Sequence, residues 1–167
     1  MRKLVLFAVL VTLLLTFSLA FAVPNNVTYQ NTRRFLETMD DNEIKYSYMG
    51  IDDTNDEEVK TEFSYSGGSL SVRIWFTEDN ELCSIRIWNL IDINPAYLDS
   101  AYRICNDLNS KYKYTTFYVD TSDNSITVSL DVILRNTASS GEIAYEGLMH
   151  ILSIADQAYE DLKPLEK

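Results

Sequence analysis

The middle of the chain alternates apolar and polar residues, and a period of two is the pattern of strands that are buried on one face. Between residues 59 and 87 this alternation predicts three strands, with Gly67-Gly68 reversing the chain after the first and "EDNE" after the second. An earlier strand is predicted in "IKYSYMG", whose two tyrosines share one face. The core face of the three later strands is predicted to consist of Val59, Thr61, Phe63, Tyr65, Leu70, Val72, Ile74, Phe76, Cys83, Ile85 and Ile87.

Three other segments carry apolar residues at helical spacing. The first is predicted over Thr28–Asp40, and the second begins at Asn94-Pro95, because Asn can cap free N–H groups and Pro suits the first helical position. The third begins at Ser139 and Glu142, which have the spacing of a capping box. The apolar stripes of the three helices are Phe35, Leu36 and Met39; Leu98, Ala101, Cys105, Leu108 and Tyr112; and Ile143, Gly147, Leu148, Ile151, Ala155, Ala158 and Leu162.

The stretch "YKYTTFYVDTSDNSITVSLDVIL" lies between the second and third helices and predicts a hairpin. Its turn contains Asp120, Asp123 and Asn124, which are residue types that turns favour. The side chains that face the core are predicted to be Phe117, Val119, Ile126, Val128, Leu130 and Val132. The predicted order is α-β-β-β-β-α-β-β-α. We therefore expect an α+β domain in which an antiparallel sheet of about five or six strands packs with helices.

Residues 1–22 have the pattern of a secretory signal peptide. Two basic residues precede an uncharged apolar run, and Ala20 and Ala22 have the spacing of a signal-peptidase site. The alternative is an uncleaved anchor, since the run approaches the roughly 17 to 25 residues that can span a bilayer. We expect an exported protein, secreted, periplasmic or attached to the cell surface, with no stable membrane insertion after cleavage near Ala22. Residues 23–167 then form a single domain, because no repeat or linker divides them.

The chain is strongly acidic, with 14 basic and 25 acidic residues and a net charge of −11. Removal of residues 1–22 takes two basic residues and no acidic one, so the exported chain is more acidic still. Nucleic acids and anionic membranes repel such a surface and bind clustered Lys and Arg instead. The composition therefore argues against both as partners.

Cys83 and Cys105 are the two cysteines of the chain, and both lie on predicted core faces. One interpretation for an exported chain is a disulfide between them, which would contribute about 3 kcal/mol in the chain-entropy model. The other is that both are small buried apolar side chains that stay reduced.

The alternation also places aromatic and basic residues together on the face opposite the core. If the apolar residues of the second and third central strands face the core, then Arg73, Trp75, Arg86 and Trp88 face away from it. Trp and Arg can stack across neighbouring strands, and both types are enriched at binding hot spots. We therefore predict a partner-binding face; the alternative is that a helix or terminal segment of the same chain covers it.

Motifs for catalysis or metal binding are weak. His150 is the only histidine, and neither a nucleophile elbow nor zinc-ligand spacing accompanies it. The loop "DDTNDEE" has residue types that bind calcium, but neither register places Gly at the tight turn, so we predict a solvated acidic loop. Asp120 and Asp131 are the candidates for a hydrolytic carboxylate site, because both face away from the apolar residues of the hairpin. We assign no catalytic residue, metal or cofactor.

The segments "CNDLNSKYKYTTFYVDTSDNSITVSLDVIL" and "LMHILSIADQAYEDL" resemble the YbjN domain, the family labelled putative bacterial sensory transduction regulators. The similar features are an N-x-L-N helix end, an aromatic strand, a hairpin that ends near an aspartate, and a closing helix with an "AD-x-AY"-like signature. The resemblance covers residues 30–163 and is strongest after residue 98. It implies a bacterial protein with a twisted sheet and helices like those of type III secretion chaperones, often paired as a homodimer. It supplies no catalytic residues.

These observations lead us to expect an exported, non-enzymatic YbjN-like module that binds a protein or peptide in a chaperone-like or regulatory role. The partner is another protein or peptide, or a second copy of the chain in a homodimer. The binding face consists of Arg73, Trp75, Arg86 and Trp88. Two other functions stay open at this point. One is an exported hydrolase with a carboxylate site, and the other is a structural protein associated with the cell envelope.

Overall fold

The helices and strands follow one another along the chain in the predicted order. The structure, a computed structural model, describes residues 23–167, so the predicted signal peptide lies outside the described residues. The elements are α1 (Gln30–Asp41), β1 (Tyr46–Ile51), β2 (Glu57–Tyr65), β3 (Gly68–Phe76), β4 (Leu82–Asp92), α2 (Leu98–Lys111), β5 (Thr115–Asp120), β6 (Ser125–Ile133) and α3 (Ser140–Leu162), with 3-10 turns at Pro95–Tyr97 and Lys163–Leu165. The α+β class and the order of elements are confirmed.

The strands form one antiparallel sheet of six strands in the order β1-β2-β3-β4-β6-β5. The first four strands are a meander, which follows from their short connections. Helix α2 connects β4 to β5, which forms the edge strand of the sheet. The next strand, β6, lies between β5 and β4 and pairs with both. The long pairing of β4 with β6, from Leu82–Ile133 to Asp92–Ser125, joins the two halves of the sheet.

One face of the sheet packs against the three helices. The strand residues Val72, Ile74 and Ile85 and the helix residues Phe35 and Leu148 are fully buried in a single hydrophobic cluster. The rings of Phe35 and Phe76 lie 5.2 Å apart between centroids, joining α1 to β3. The predicted core residues of the strands therefore face the helices, as the alternation indicates.

The second and third helices begin in different ways. The side-chain oxygen of Asn94 accepts a hydrogen bond from the Ala96 N–H (3.1 Å), so the predicted Asn cap is present at the 3-10 turn Pro95–Tyr97. This turn leads into α2, which begins at Leu98 without a side-chain cap of its own. The predicted capping box is wrong, because Ser139 makes no side-chain cap bond at the start of α3. Ser139 has φ −86° and ψ 1°, whereas a capping side chain requires an extended backbone to reach the free N–H groups.

A buried polar cluster around Asn31 fixes α1 against its neighbours. Its N–H donates to Oδ1 of Asn80 (3.0 Å), and its side-chain amide donates to the Asn80 carbonyl (2.6 Å). Its own side-chain oxygen accepts from the hydroxyl of Ser140 (2.6 Å), the first residue of α3. Because Asn31 and Ser140 are fully buried, the loss of any of these bonds would leave an unpaired polar group.

Glu57 departs from the prediction of a solvated acidic loop, because its side chain is fully buried. Its carboxylate accepts hydrogen bonds from the Thr28 N–H (2.6 Å), the Tyr29 N–H (3.1 Å) and the Tyr48 hydroxyl (2.7 Å). Burial, and then the hydrogen bond to Glu57, raise the pKa of Tyr48 above its usual range. Glu57 therefore fastens the segment before α1 to the sheet.

Candidate functional site

The face of the sheet opposite the helices carries the two tryptophans. We call it the Trp/Arg face and define it by Glu58, Arg73, Trp75, Arg86, Trp88 and Asp131. Trp88 is 42% exposed, and the side chain of Arg73 is 41% exposed. The buried apolar side chains of all three helices belong to the cluster on the other face, so within residues 23–167 the helices leave this face open.

The two indole rings are in contact across β3 and β4. Their centroids lie 5.4 Å apart at an interplanar angle of 64°, which is an edge-to-face arrangement. The guanidinium carbon of Arg73 lies 5.0 Å from the centroid of the Trp88 ring. Such an aromatic pair contributes about 0.5–1.5 kcal/mol beyond area burial, and an exposed cation–π contact contributes about 0.5–1 kcal/mol. The sheet therefore presents the rings in one arrangement before any partner binds.

Carboxylates on neighbouring strands hold the two arginines. Arg73 lies directly opposite Arg86 in the β3–β4 register, and like charges in that position repel. Arg73 Nη1 contacts Glu58 Oε1 at 2.8 Å, and Arg86 Nη1 contacts Asp131 Oδ1 at 2.8 Å. The burial of Asp131 raises its pKa, but hydrogen bonds from Arg86 and Ser84 outweigh this effect and lower the pKa below its ordinary value. The face is thus balanced in charge.

The carboxylates proposed for a hydrolase do not meet. Asp120 is paired with Ser125 at one end of β6, and Asp131 lies six residues further along the strand, which is about 20 Å. Asp120 accepts hydrogen bonds from the N–H (2.9 Å) and hydroxyl (2.6 Å) of Ser122, which lower its pKa. One residue therefore shapes a turn and the other pairs with Arg86. The prediction that the two could form one site is wrong.

The other candidates for chemistry lie apart. His150 is an exposed residue of α3, whereas Cys83 and Cys105 are buried. In the acidic loop, Oδ1 of Asp52 accepts from the Thr54 N–H (2.8 Å) and the Asp56 N–H (3.1 Å), so it closes a turn. Residues 23–167 contain no cluster of three or more His, Cys, Asp or Glu suited to a metal ion. In the same residues, no helix combines the length and apolar character needed to cross a membrane.

Cys83 on β4 and Cys105 on α2 are free thiols in the structure. Burial raises the pKa of both groups, that of Cys105 to about 11. Both therefore resist conversion to the reactive thiolate.

We expect neither thiol to react with a chromogenic thiol reagent in the native protein at about pH 8, because both remain protonated and inaccessible. After unfolding without reductant, both thiols of each chain should react. The measurement is a thiol titration of native and urea-unfolded protein. If unfolded protein releases colour only after reduction, the disulfide interpretation is correct.

Sequence reasoning missed the two partners of the arginines. The acidic composition places Glu58 in the predicted loop, although it continues the alternation of β2 on the open face. The sequence presents Asp131 only as a candidate catalytic group. Both ion pairs follow from the strand register, which pairs Glu58 with Trp75 and Ser84 with Asp131. This register cannot be derived from the sequence.

A six-stranded sheet with helices on one face and a balanced Trp/Arg face on the other defines a two-layer α+β domain without an assembled catalytic centre in the described residues. The chain belongs to the YbjN family: the family model described as "Putative bacterial sensory transduction regulator" matches residues 32–164. A similar solved structure is that of YbjN from E. coli, described as a putative transcription regulator. It has a TM-score of 0.57 and 7% sequence identity, and the match covers 83% of this chain and 93% of that one. No match was found among curated proteins.

These comparisons confirm the family and the fold. At 7% identity the solved structure supports the fold alone. The description of the family as regulatory agrees with a non-enzymatic module.

Proposed function

We propose that the exported chain is a non-enzymatic regulatory module that binds a protein or peptide through the Trp/Arg face. A second copy of the chain is one such partner, and its binding gives a homodimer. The observation that carries the proposal is the contact between Trp75 and Trp88 on an open sheet face, with an arginine beside them. Trp and Arg are the residue types that dominate binding energy at protein interfaces.

Charge supports pairing of two copies at this face. The chain has a net charge of −11, so most of its surface repels a second copy. Each arginine of the Trp/Arg face has a carboxylate at 2.8 Å, so the face itself is close to neutral. In a two-fold dimer the same patch meets itself, and an arginine of one copy can then exchange partners with a carboxylate of the other.

Rigidity also supports binding. Ordering a long side chain at an interface costs about 0.5–1.5 kcal/mol, and here the ion pairs and ring contacts already hold these side chains. A partner therefore meets a preformed surface.

Export is the part of the proposal that rests on residues 1–22 alone. The sequence of the mature N-terminus, determined on protein from the exported fraction, tests it. A start close to Val23 supports cleavage, and retention of residues 1–22 in the membrane fraction contradicts it.

The double variant Trp75→Ala, Trp88→Ala should weaken self-association or partner capture at least about tenfold, the loss expected for hot-spot residues. Sedimentation velocity over a range of protein concentrations measures the first, and pull-down from the exported fraction measures the second. Circular dichroism should show an unchanged fold, because both side chains lie outside the core cluster.

The matched control is Tyr97→Ala, Tyr102→Ala, which removes two aromatic side chains on the helical side, 45% and 47% exposed and so comparable with Trp88. It should leave both measurements unchanged. If the tryptophan variant behaves like this control, the Trp/Arg face is not the binding surface.

A further inference from the structure

A second surface lies where β6 ends, beside the N-terminal half of α3. Here a groove of about 640 Å³ opens between strand and helix. Its lining includes Tyr114, Ile133, Ile143, Glu146, Gly147 and His150. Gly147 lets the helix approach the strand closely, because a Cβ at this position would lie 2.8 Å from a methyl group of Val132.

The edge of β6 along this groove extends beyond its neighbour. The β5–β6 ladder ends at the pair Thr115–Leu130. The β4–β6 ladder continues through Asp131 and Val132 to Ile133. The last three residues of β6 thus have a strand on one side and lie past the end of β5 on the other. An edge of this kind is a template for a further strand.

The apolar side chains at this edge are unusually exposed. Ile133 is 83% exposed, Tyr114 is 82% exposed and Ile143 is 38% exposed. Tyr114 has φ 68°, and four of the five other non-glycine residues with positive φ in the described chain are asparagines. A bulky residue rarely adopts this conformation, and strained backbone concentrates at functional positions. The fold therefore holds an aromatic ring outward beside the free strand edge.

Charge indicates what the groove accepts. Glu146 is exposed on α3 and belongs to the lining of the groove, together with Asp131 and His150. Asp131 is already paired with Arg86. The lining within the described chain includes neither Lys nor Arg, so Glu146 lacks a basic neighbour in the groove. An incoming Lys or Arg would supply one.

We propose that this groove binds an extended peptide as an additional strand along the free edge of β6. An apolar side chain of the peptide packs among Tyr114, Ile133 and Ile143, and a basic residue pairs with Glu146. This site differs from the one in the proposed function, because it lies at the strand edge and α3 rather than at the tryptophans, and the two share only Asp131. The acidic character of the chain disfavours a second copy as the occupant.

The test uses three synthetic peptides and the full exported chain labelled with ¹⁵N. The first peptide alternates Val with Lys, the second alternates Val with Glu, and the third is the Val/Lys peptide with N-methyl groups on alternate residues. We expect the first to shift the amide signals of residues 131–133 and 143–150. The second peptide should not bind, because its glutamates are repelled by Glu146. The third should not bind, because its N-methyl groups remove backbone hydrogen bonds that an added strand requires.

Two variants test the contacts. Tyr114→Gly keeps the backbone, because glycine tolerates positive φ, and Glu146→Lys reverses the charge. Each should weaken binding of the Val/Lys peptide about tenfold, as expected for loss of an aromatic anchor or a charge partner. The control Trp75→Ala, Trp88→Ala should bind this peptide like the parent chain, so failure of this site and failure of the Trp/Arg face are distinguishable.

The proposal is overturned by any of three results. The first is equal binding of all three peptides, and the second is a set of shifts centred on Trp75 and Trp88. The third is a shift of residues 131–133 with protein concentration alone, which would make a second copy the occupant.

Discussion

Glu57→Ala should lower the free energy of unfolding by about 3–5 kcal/mol, since leaving a buried donor unpaired costs about 1–3 kcal/mol. Three donors lose their acceptor: the N–H groups of Thr28 and Tyr29 and the hydroxyl of Tyr48. Glu57 is fully buried, so water replaces it only where the structure opens. The measurement is the urea midpoint, evaluated with the slope of the transition held constant.

The matched control for this change is Glu62→Ala on the same strand. The side chain of Glu62 is 66% exposed and pairs with Lys60 at 3.4 Å. A surface ion pair of this kind contributes about 0–1 kcal/mol, so the midpoint should hardly move. If the two variants lose equal stability, the hydrogen bonds at Glu57 do not hold the segment before α1.

Gly141→Ala should destabilise the protein by about 1–3 kcal/mol, the usual cost of adding a methyl group where the packing has no space. A Cβ on Gly141 would overlap the backbone carbonyl of Arg34 in α1. Backbone cannot rotate away as a side chain can, so α1 and α3 must separate. The separation would also disturb the hydrogen bond between Asn31 and Ser140. The thermal midpoint of unfolding measures the effect.

Gly147→Ala is the matched control, because it places the same methyl group in the same helix. The nearest atom is a side-chain methyl of Val132 at 2.8 Å, which can adjust. In the interior of α3, Gly147→Ala also gains about 1 kcal/mol of helix propensity, which offsets its smaller clash. Gly141 is only the second residue of the helix, so less of its clash is offset. If Gly147→Ala lowers the thermal midpoint more than Gly141→Ala does, the close approach of α1 and α3 is contradicted.

Local patterns identified most elements because each pattern has a direct physical cause. Alternation predicts β2, β3 and β4 because the sheet is buried on one side. Asn94-Pro95 predicts the start of the second helix, and in the structure Asn94 satisfies the free N–H of Ala96 in the 3-10 turn that leads into α2. The same alternation, extended back from Val59, places Glu57 on the core face. The surrounding acidic residues make Glu57 look like part of a solvated loop. An acidic residue at a core-facing position of a strand instead indicates a buried, hydrogen-bonded carboxylate.

Partnerships between distant residues escaped sequence reasoning. Asp131 faces away from the core as predicted, but its pairing with Arg86 depends on β6 inserting between β4 and β5. The capping box at Ser139 failed for a similar reason: the side chain has the right type and spacing, and the backbone at that residue takes a conformation set by its surroundings.

The order of helices and strands, the core face of the sheet and the Trp and Arg residues of the open face follow from the sequence alone. These depend on periodicity and turn chemistry, which act over a few neighbouring residues. Four other features appear only in the folded chain: the contact between Trp75 and Trp88, the pairing of each arginine, the separation of Asp120 from Asp131 and the free edge at Ile133. Those features depend on strand order and register, which are set when the whole core packs, so that residues far apart in the chain become neighbours.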